Sequence, residues 1–201
     1  MGKKIDAEWY AENYTPWIDD INSYEDLEKF WDNLNPRYKR RFDHWFKDIE
    51  LKGEVLELGF NNGKTLKWLN DRYGHLILFG IDFNKSLEKI LQYIHVIPAI
   101  ADIEIHDIFK FPYTPPFNNI ICLDFIEHLY HKDYLKMIHI CRNLLIDKGR
   151  IFVFAGYAKL PEHVNVLSLE EICDDFKAAG FKVVGKIGHP ETGDYLQIFE
   201  K

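Results

Sequence analysis

Glu54-Val55-Leu56-Glu57-Leu58-Gly59-Phe60-Asn61-Asn62-Gly63-Lys64-Thr65 is the stretch on which the fold turns. Glu54 to Gly59 reads as a strand, the residues after it as a tight turn, and Leu66, Leu69 and Tyr73 as one side of a short helix. The same succession recurs downstream. His75 to Asp82 is a near-continuous apolar run, as expected where both faces of a sheet are covered. Leu87, Ile90, Leu91 and Ile94 mark the next helix. Ala99 to Ile105 is a weaker strand and Asn119 to Phe125 a strong buried one. Tyr134, Ile138, Cys141 and Leu145 form the buried stripe of a helix that Gly149 is expected to stop, and Arg150 to Gly156 is the strand after it. Ser168 and Glu171 form a capping box for a helix carrying Leu169, Ile172, Cys173 and Phe176, closed by Gly180.

Such alternation predicts an α/β, doubly wound, mostly parallel sheet with helices on both faces. Its end departs from the pattern. Phe181 to Gly188 and Asp194 to Glu200 are separated only by His189-Pro190-Glu191-Thr192-Gly193, so they are expected to pair antiparallel. Upstream, Ser23 can cap a helix with Leu27, Phe30, Trp31 and Leu34 on one face. Asn35-Pro36 breaks it, and Tyr38, Phe42, Trp45, Phe46 and Ile49 line a second. Trp9, Tyr10, Tyr14 and Trp17 precede both, as a lid or a packed arm. Residues 1–53 are thus an N-terminal helical extension and residues 54–201 the α/β domain.

A chain of 201 residues, 47% apolar, can bury one core. A net charge of −7 argues against a broad surface for a nucleic-acid backbone. The basic cluster Arg37, Lys39, Arg40 and Arg41 reads as a solvated helix face. Cys122, Cys141 and Cys173 make no CxxC pair and are expected to be core thiols rather than a disulfide or zinc framework. No apolar leader and no membrane-length run stands out, so a cytoplasmic protein with no membrane association is expected.

The turn after the first strand carries the chemistry. In a doubly wound sheet, ligands bind at the carboxyl ends of strands, where strand order reverses. Gly59 and Gly63 let backbone approach a ligand, and Asn61 tolerates the left-handed conformation between them. A phosphate-binding P-loop needs four residues between its glycines, and Gly59 and Gly63 bracket three. A dinucleotide turn needs a third glycine where Lys64 stands. Glu57, two residues before Gly59, suits a cationic ligand group and opposes a pyrophosphate.

Glu57, Gly59, Asn61 and Gly63 resemble the first motif, acidic-x-G-x-G-x-G, of the class I S-adenosylmethionine-dependent methyltransferases, with Asn61 in place of the middle glycine. The resemblance extends over nearly all of residues 54–201. It implies a seven-stranded sheet whose last strand is antiparallel, with S-adenosyl-L-methionine as cofactor. Asp82, ending the second strand, would take the ribose hydroxyls, with Phe83 beside it. His106-Asp107-Ile108-Phe109-Lys110-Phe111-Pro112-Tyr113 is similar to the family's Gly-Asp-Ala-x-x-Leu-Pro-Phe segment. Asp107 and the Ile108 N–H would then hold adenine, with Asp102 the competing carboxylate. Asp124 is assigned to the cofactor site as well. Glu127-His128-Leu129 looks like a segment frequent in small-molecule methyltransferases, and Leu144 to Arg150 resembles the turn before the family's fifth strand.

The resemblance implies a small-molecule methyl acceptor. His128 is the candidate catalytic residue, as a base or as a residue that orients the acceptor, and Tyr157 and His163 are further candidates for the acceptor pocket. His131, His139 and His189 read as surface or cap residues. No metal is assigned. Two alternatives stay open. Asp124, Glu127 and His128 resemble the acidic-x-x-acidic-His segment of metal-dependent small-RNA 2′-O-methyltransferases, with His163 as a fourth ligand. The fold can also serve as a non-catalytic binding module.

Overall fold

The computed structural model describes residues 15–33, 36–110, 116–157, 160 and 162–201, the side chains at 36–38 excepted. Trp9, Tyr10, Tyr14, Leu34, Asn35 and the Phe111-Pro112-Tyr113 pattern lie outside them. The helices are α1 (Tyr24–Asn33), α2 (Pro36–Trp45), α3 (Lys64–Tyr73), α4 (Glu88–Ile94), α5 (His131–Leu144) and α6 (Leu169–Ala178). The strands are β1 (Glu54–Leu58), β2 (Ile77–Asp82), β3 (Ile100–Ile105), β4 (Phe117–Leu123), β5 (Leu145–Phe154), β6 (Lys182–Gly188) and β7 (Tyr195–Glu200). They form one seven-stranded sheet in the order β3-β2-β1-β4-β5-β7-β6. β1 through β5 pair in parallel, and β7 runs antiparallel to both β5 and β6.

Alternating strand residues feed two cores. Val55, Ile121 and Phe152 face α1 to α4, against Leu27, Trp45, Leu66 and Ile90. Leu56, Ile120 and Ile151 face α5 and α6, against Met137, Ile138, Ile172 and Phe176. The N-terminal helices are therefore part of the layer on one face: the Trp45 and Phe46 rings lie 4.9 and 5.5 Å from those of Phe154 and Phe152.

Both caps read from the sequence are present. Ser23 Oγ accepts from the Asp26 N–H at 3.1 Å. The Ser168 and Glu171 side chains each accept from the other's backbone N–H. Two boundaries move. α5 ends at Leu144, not near Gly149, because Leu145 already pairs with Phe117 and opens β5. The ladder then slips before Asn119 meets Arg150, with Lys148 in a left-handed turn at φ 61°. Cys122 and Cys141 are core thiols as expected, whereas Cys173 is only half-buried. Arg41 departs most from its reading. It is 6% exposed rather than solvated.

Candidate active site

Strand order reverses between β1 and β4, so their carboxyl ends open a crevice. Two adjoining cavities occupy it. One, of about 310 Å³, is lined by Glu57, Gly59, Asn61, Asp82, Phe83, Asp124 and His128, with Trp17, Phe30 and Phe42 from the N-terminal layer. The other, of about 440 Å³, adds Asp107, Ile108 and Phe109. Asp82, Phe83, Phe125 and His128 line both. Asp102, in mid-strand opposite Phe79, lines neither.

The β1 turn is built from left-handed residues: Gly59 at φ 73°, Asn61 at 44° and Gly63 at 76°. Both glycines are required by the protein's own packing, and Gly59 also lines the first cavity. A Cβ on Gly59 would lie 2.5 Å from the Phe125 ring, and one on Gly63 would lie 3.0 Å from Ile94. Gly63 lines neither cavity; it starts α3. Gly59→Ala is expected to cost about 2 kcal/mol from backbone strain and overpacking. That corresponds to a Tm lower by about 4–8 °C. A melting curve within about 2 °C of the parent would show that Phe125 yields freely.

Asp82 braces this turn. One carboxylate oxygen accepts from the Asn61 N–H at 3.0 Å and the other from the Asn84 N–H at 2.9 Å. Burial nevertheless raises its pKa to about 6, against the pull of those N–H groups. Glu57 is 3% exposed. Burial holds its pKa well above the usual carboxylate range, opposed by the Thr65 hydroxyl. Glu57 Oε2 and Asn61 Oδ1 are both buried and accept nothing from the protein. Asp107 Oδ1 accepts from the Phe109 N–H at 2.9 Å, and Lys110 lies 3.3 Å from the same carboxylate.

Asp124 ends the β4 run in a left-handed conformation, φ 49°, which Asp adopts more readily than most residues. Its carboxylate accepts from Arg41 at 3.0 Å; the same guanidinium lies 3.5 Å from Asp194 in the β6–β7 turn. Burial pushes the Asp124 carboxyl up and Arg41 draws it back. Arg41 also lies over the Phe154 and Trp45 rings, at 4.6 and 5.3 Å. Sequence reasoning missed Arg41 and Asp194. The available signal was the Arg41-Phe42-Trp45 spacing, which puts the cation on the flank of a buried aromatic face.

Glu127 and His128 follow in a short 3₁₀ turn. Glu127 is 1% exposed. Burial and the Asp124 charge raise its pKa to about 8. Burial lowers that of His128 to about 4. The His128 ring meets that of His163 edge to face at 5.0 Å. Tyr157, 37% exposed, packs beside Phe154. His131 and His139 are exposed as expected, but His189 is buried, its ring 5.0 Å from that of His44.

Two N-terminal contacts grip the turn from outside. The Trp31 indole N–H donates to the Asn62 carbonyl at 2.9 Å, and the Lys64 ammonium donates to the Trp31 carbonyl. Trp17 stacks on Phe30 at 4.5 Å to form the cavity roof.

No protein-family model matches the sequence, and no curated protein does. Solved structures match by fold. The N-methyltransferase NodS of Bradyrhizobium japonicum, in complex with S-adenosyl-L-homocysteine, superposes with a TM-score of 0.64 at 18% identity. The match covers 90% of this chain and 99% of that one. An O-methyltransferase family protein of Burkholderia thailandensis gives 0.70 at 13% identity, over 98% of this chain and 63% of that one. An O-methyltransferase family 2 protein of Planctomyces limnophilus, in complex with apigenin, gives 0.64 at 14% identity, over 97% and 65%. The chain thus spans under two thirds of those O-methyltransferase chains and nearly all of NodS. The fold is that of the class I, Rossmann-like methyltransferases.

Proposed function

We propose that the protein is an S-adenosylmethionine-dependent methyltransferase acting on a small-molecule acceptor. The carrying observation is the pair of buried acceptor atoms without a donor, Glu57 Oε2 and Asn61 Oδ1, on a cavity that Asp82 and Asp124 also line. Such a rim suits a ligand that brings its own donors and positive charge. An ammonium group fits Glu57 and Asn61, and ribose hydroxyls fit the remaining lone pairs of Asp82. A pyrophosphate would face carboxylates.

The second cavity suits adenine: Asp107 accepts from its amino group, and Ile108 and Phe83 cover the ring. The Lys110–Asp107 pair is exposed and offers weak competition. Bound across the two cavities, S-adenosylmethionine supplies an already activated methyl group. The protein's task is then positioning. Trp17, Phe30 and Phe42 roof the first cavity, exclude water and leave room for a small, largely apolar acceptor. His128, unprotonated at neutral pH, accepts a hydrogen bond from the acceptor's O–H or N–H. With a pKa near 4 it orients that group better than it holds its proton. The solved NodS complex with S-adenosyl-L-homocysteine supports the donor assignment, and the apigenin complex supports a small acceptor.

Thermal unfolding tests the reading. S-adenosylmethionine and S-adenosylhomocysteine at a hundred times Kd should stabilise the native state by about 2.7 kcal/mol, or about 5–10 °C in Tm. NAD and ATP at equal concentration should leave Tm in place. A shift with ATP and none with S-adenosylmethionine would overturn it.

A further inference from the structure

Donor binding leaves one carboxylate of the crevice over. Glu57 and Asn61 meet the donor's ammonium, Asp82 its ribose and Asp107 its adenine. Asp124, expected at the cofactor site, has no part in that set, yet it lines the first cavity with Phe42, Phe125 and His128. Arg41 takes only Oδ2, at 3.0 Å; Oδ1 accepts from no protein donor among the described residues. The Asp124 side chain keeps 37% exposure, so Oδ1 is within reach of a ligand. More negative charge stands behind it. Glu127 Oε1 accepts from the Gly156 N–H at 2.6 Å, while Oε2 is buried and has no protein donor. A Cβ at Gly156 would lie 2.8 Å from Glu127 Oε1 and 3.8 Å from Asp124 Oδ1, so the two carboxylates flank one point just past β5. Arg41 is shared with Asp194 at 3.5 Å, so one guanidinium faces two carboxylates with a third close by. Lys64, the one lysine of the cavity lining among the described residues, donates to the Trp31 carbonyl.

This end of the crevice is rich in hydrogen-bond acceptors and negative charge, which decides between two kinds of nucleophile. A hydroxyl brings one donor and attacks well only as it sheds its proton and turns anionic, a change that neighbouring carboxylates oppose. A neutral primary amine brings two N–H donors, attacks with its lone pair and turns cationic, a change that carboxylates favour. We infer that the acceptor is a primary amine methylated on nitrogen, with one N–H donated to Asp124 Oδ1 and the other to His128. Asp124's part rests on the methyl-transfer reading. The amine enters as an ammonium, drawn by the carboxylates, and releases one proton to solvent. Its lone pair forms the new N–C bond to the donor methyl as the C–S bond breaks. The C–S electron pair stays on sulfur, leaving a neutral thioether, and the positive charge passes to the methylammonium nitrogen beside Asp124. His128 need hold no proton at any step. The apolar remainder of the amine fits under Trp17, Phe30 and Phe42.

Benzylamine and benzyl alcohol, alike in size and different in nucleophile, test this on the full chain. With S-adenosylmethionine carrying carbon-13 in its methyl group, a methyl transferred to nitrogen and one transferred to oxygen have separate carbon shifts. Benzylamine should be methylated. With S-adenosylhomocysteine bound, it should bind at least about tenfold more tightly than the alcohol, the worth of one charge-assisted hydrogen bond. Asp124→Asn should erase that preference while the Tm rise with S-adenosylhomocysteine stays. A merely structural role for Asp124 would instead lower Tm and weaken both probes alike, which overturns the inference. So does equal affinity for the two probes in the parent, methylation of the alcohol in preference to the amine, or no transfer to benzylamine. Absence of any Tm rise with S-adenosylhomocysteine in the parent is the separate failure of the methyl-transfer reading.

Discussion

Arg41→Ala should lower Tm by about 10 °C, the consequence of losing about 3–5 kcal/mol when a buried charge pair loses one member. Arg41 is 6% exposed and is the shared partner of Asp124 and Asp194. Without it, two carboxylates face each other in a poorly solvated pocket, and the Trp45 and Phe154 rings lose their cation. The Asp124 side chain keeps 37% exposure, which moderates the penalty on that partner. Asp124→Asn in the Arg41→Ala background should recover part of the loss, because it removes one stranded charge. Thermal unfolding of the two single variants and the double variant measures this coupling. Additive effects within about 0.5 kcal/mol would show that the pair contributes nothing of its own.

Asp82→Ala should weaken S-adenosylhomocysteine binding by about two to four powers of ten. Two charge-assisted hydrogen bonds to ribose are worth roughly 1.5–3 kcal/mol each, and 1.4 kcal/mol is tenfold. The substitution also frees the Asn61 and Asn84 N–H groups, so the loop loses its brace. Asp82→Asn separates the two effects, since its amide oxygen still accepts from one of them. The pH dependence has a definite sign. Folding raises the Asp82 pKa from 3.8 to about 6, so ionising this group costs the unliganded protein stability as pH rises through that window. In the proposed binding mode ribose hydroxyls donate to the carboxylate, so ligand affinity should be full above pH 6 and fall as pH drops below it. Calorimetry across pH 5 to 8 checks both. A pH-independent affinity, unchanged in Asp82→Ala, would move the ribose contact elsewhere.

Both predictions concern the carboxyl edge of the sheet, but the two sites were not equally legible. Asp82 could be read because a strand with a continuous apolar run ends on it, and parallel strand–helix crossovers bring the carboxyl ends of β1 to β5 to one edge. Glu57 and Asn61 follow from the same local logic, and Asp107 stands just past the end of β3. Arg41 could not be read from its charge. Its neighbours Lys39 and Arg40 are exposed, and local charge patterning does not distinguish the three. The difference arises 83 and 153 residues away, at Asp124 and Asp194.

The amino-acid sequence by itself determined the α/β alternation, the closing hairpin, the caps at Ser23 and Ser168, and the placing of Glu57, Asp82 and Asp124 at or near the carboxyl ends of their strands. Each of these depends on periodicity, turn chemistry or the direction of a strand, all local properties of the chain. Tertiary structure alone decided what those side chains meet there. The spaces beside Gly59 and Gly63 belong to Phe125 and Ile94, Asp124 is held by a helix from the N-terminal layer, and Gly156 leaves room for Glu127 and His163 beside it. Burial and pairing are sums over distant segments. The pKa values of Asp82, Glu127 and His128 depend on desolvation by residues that no local window contains.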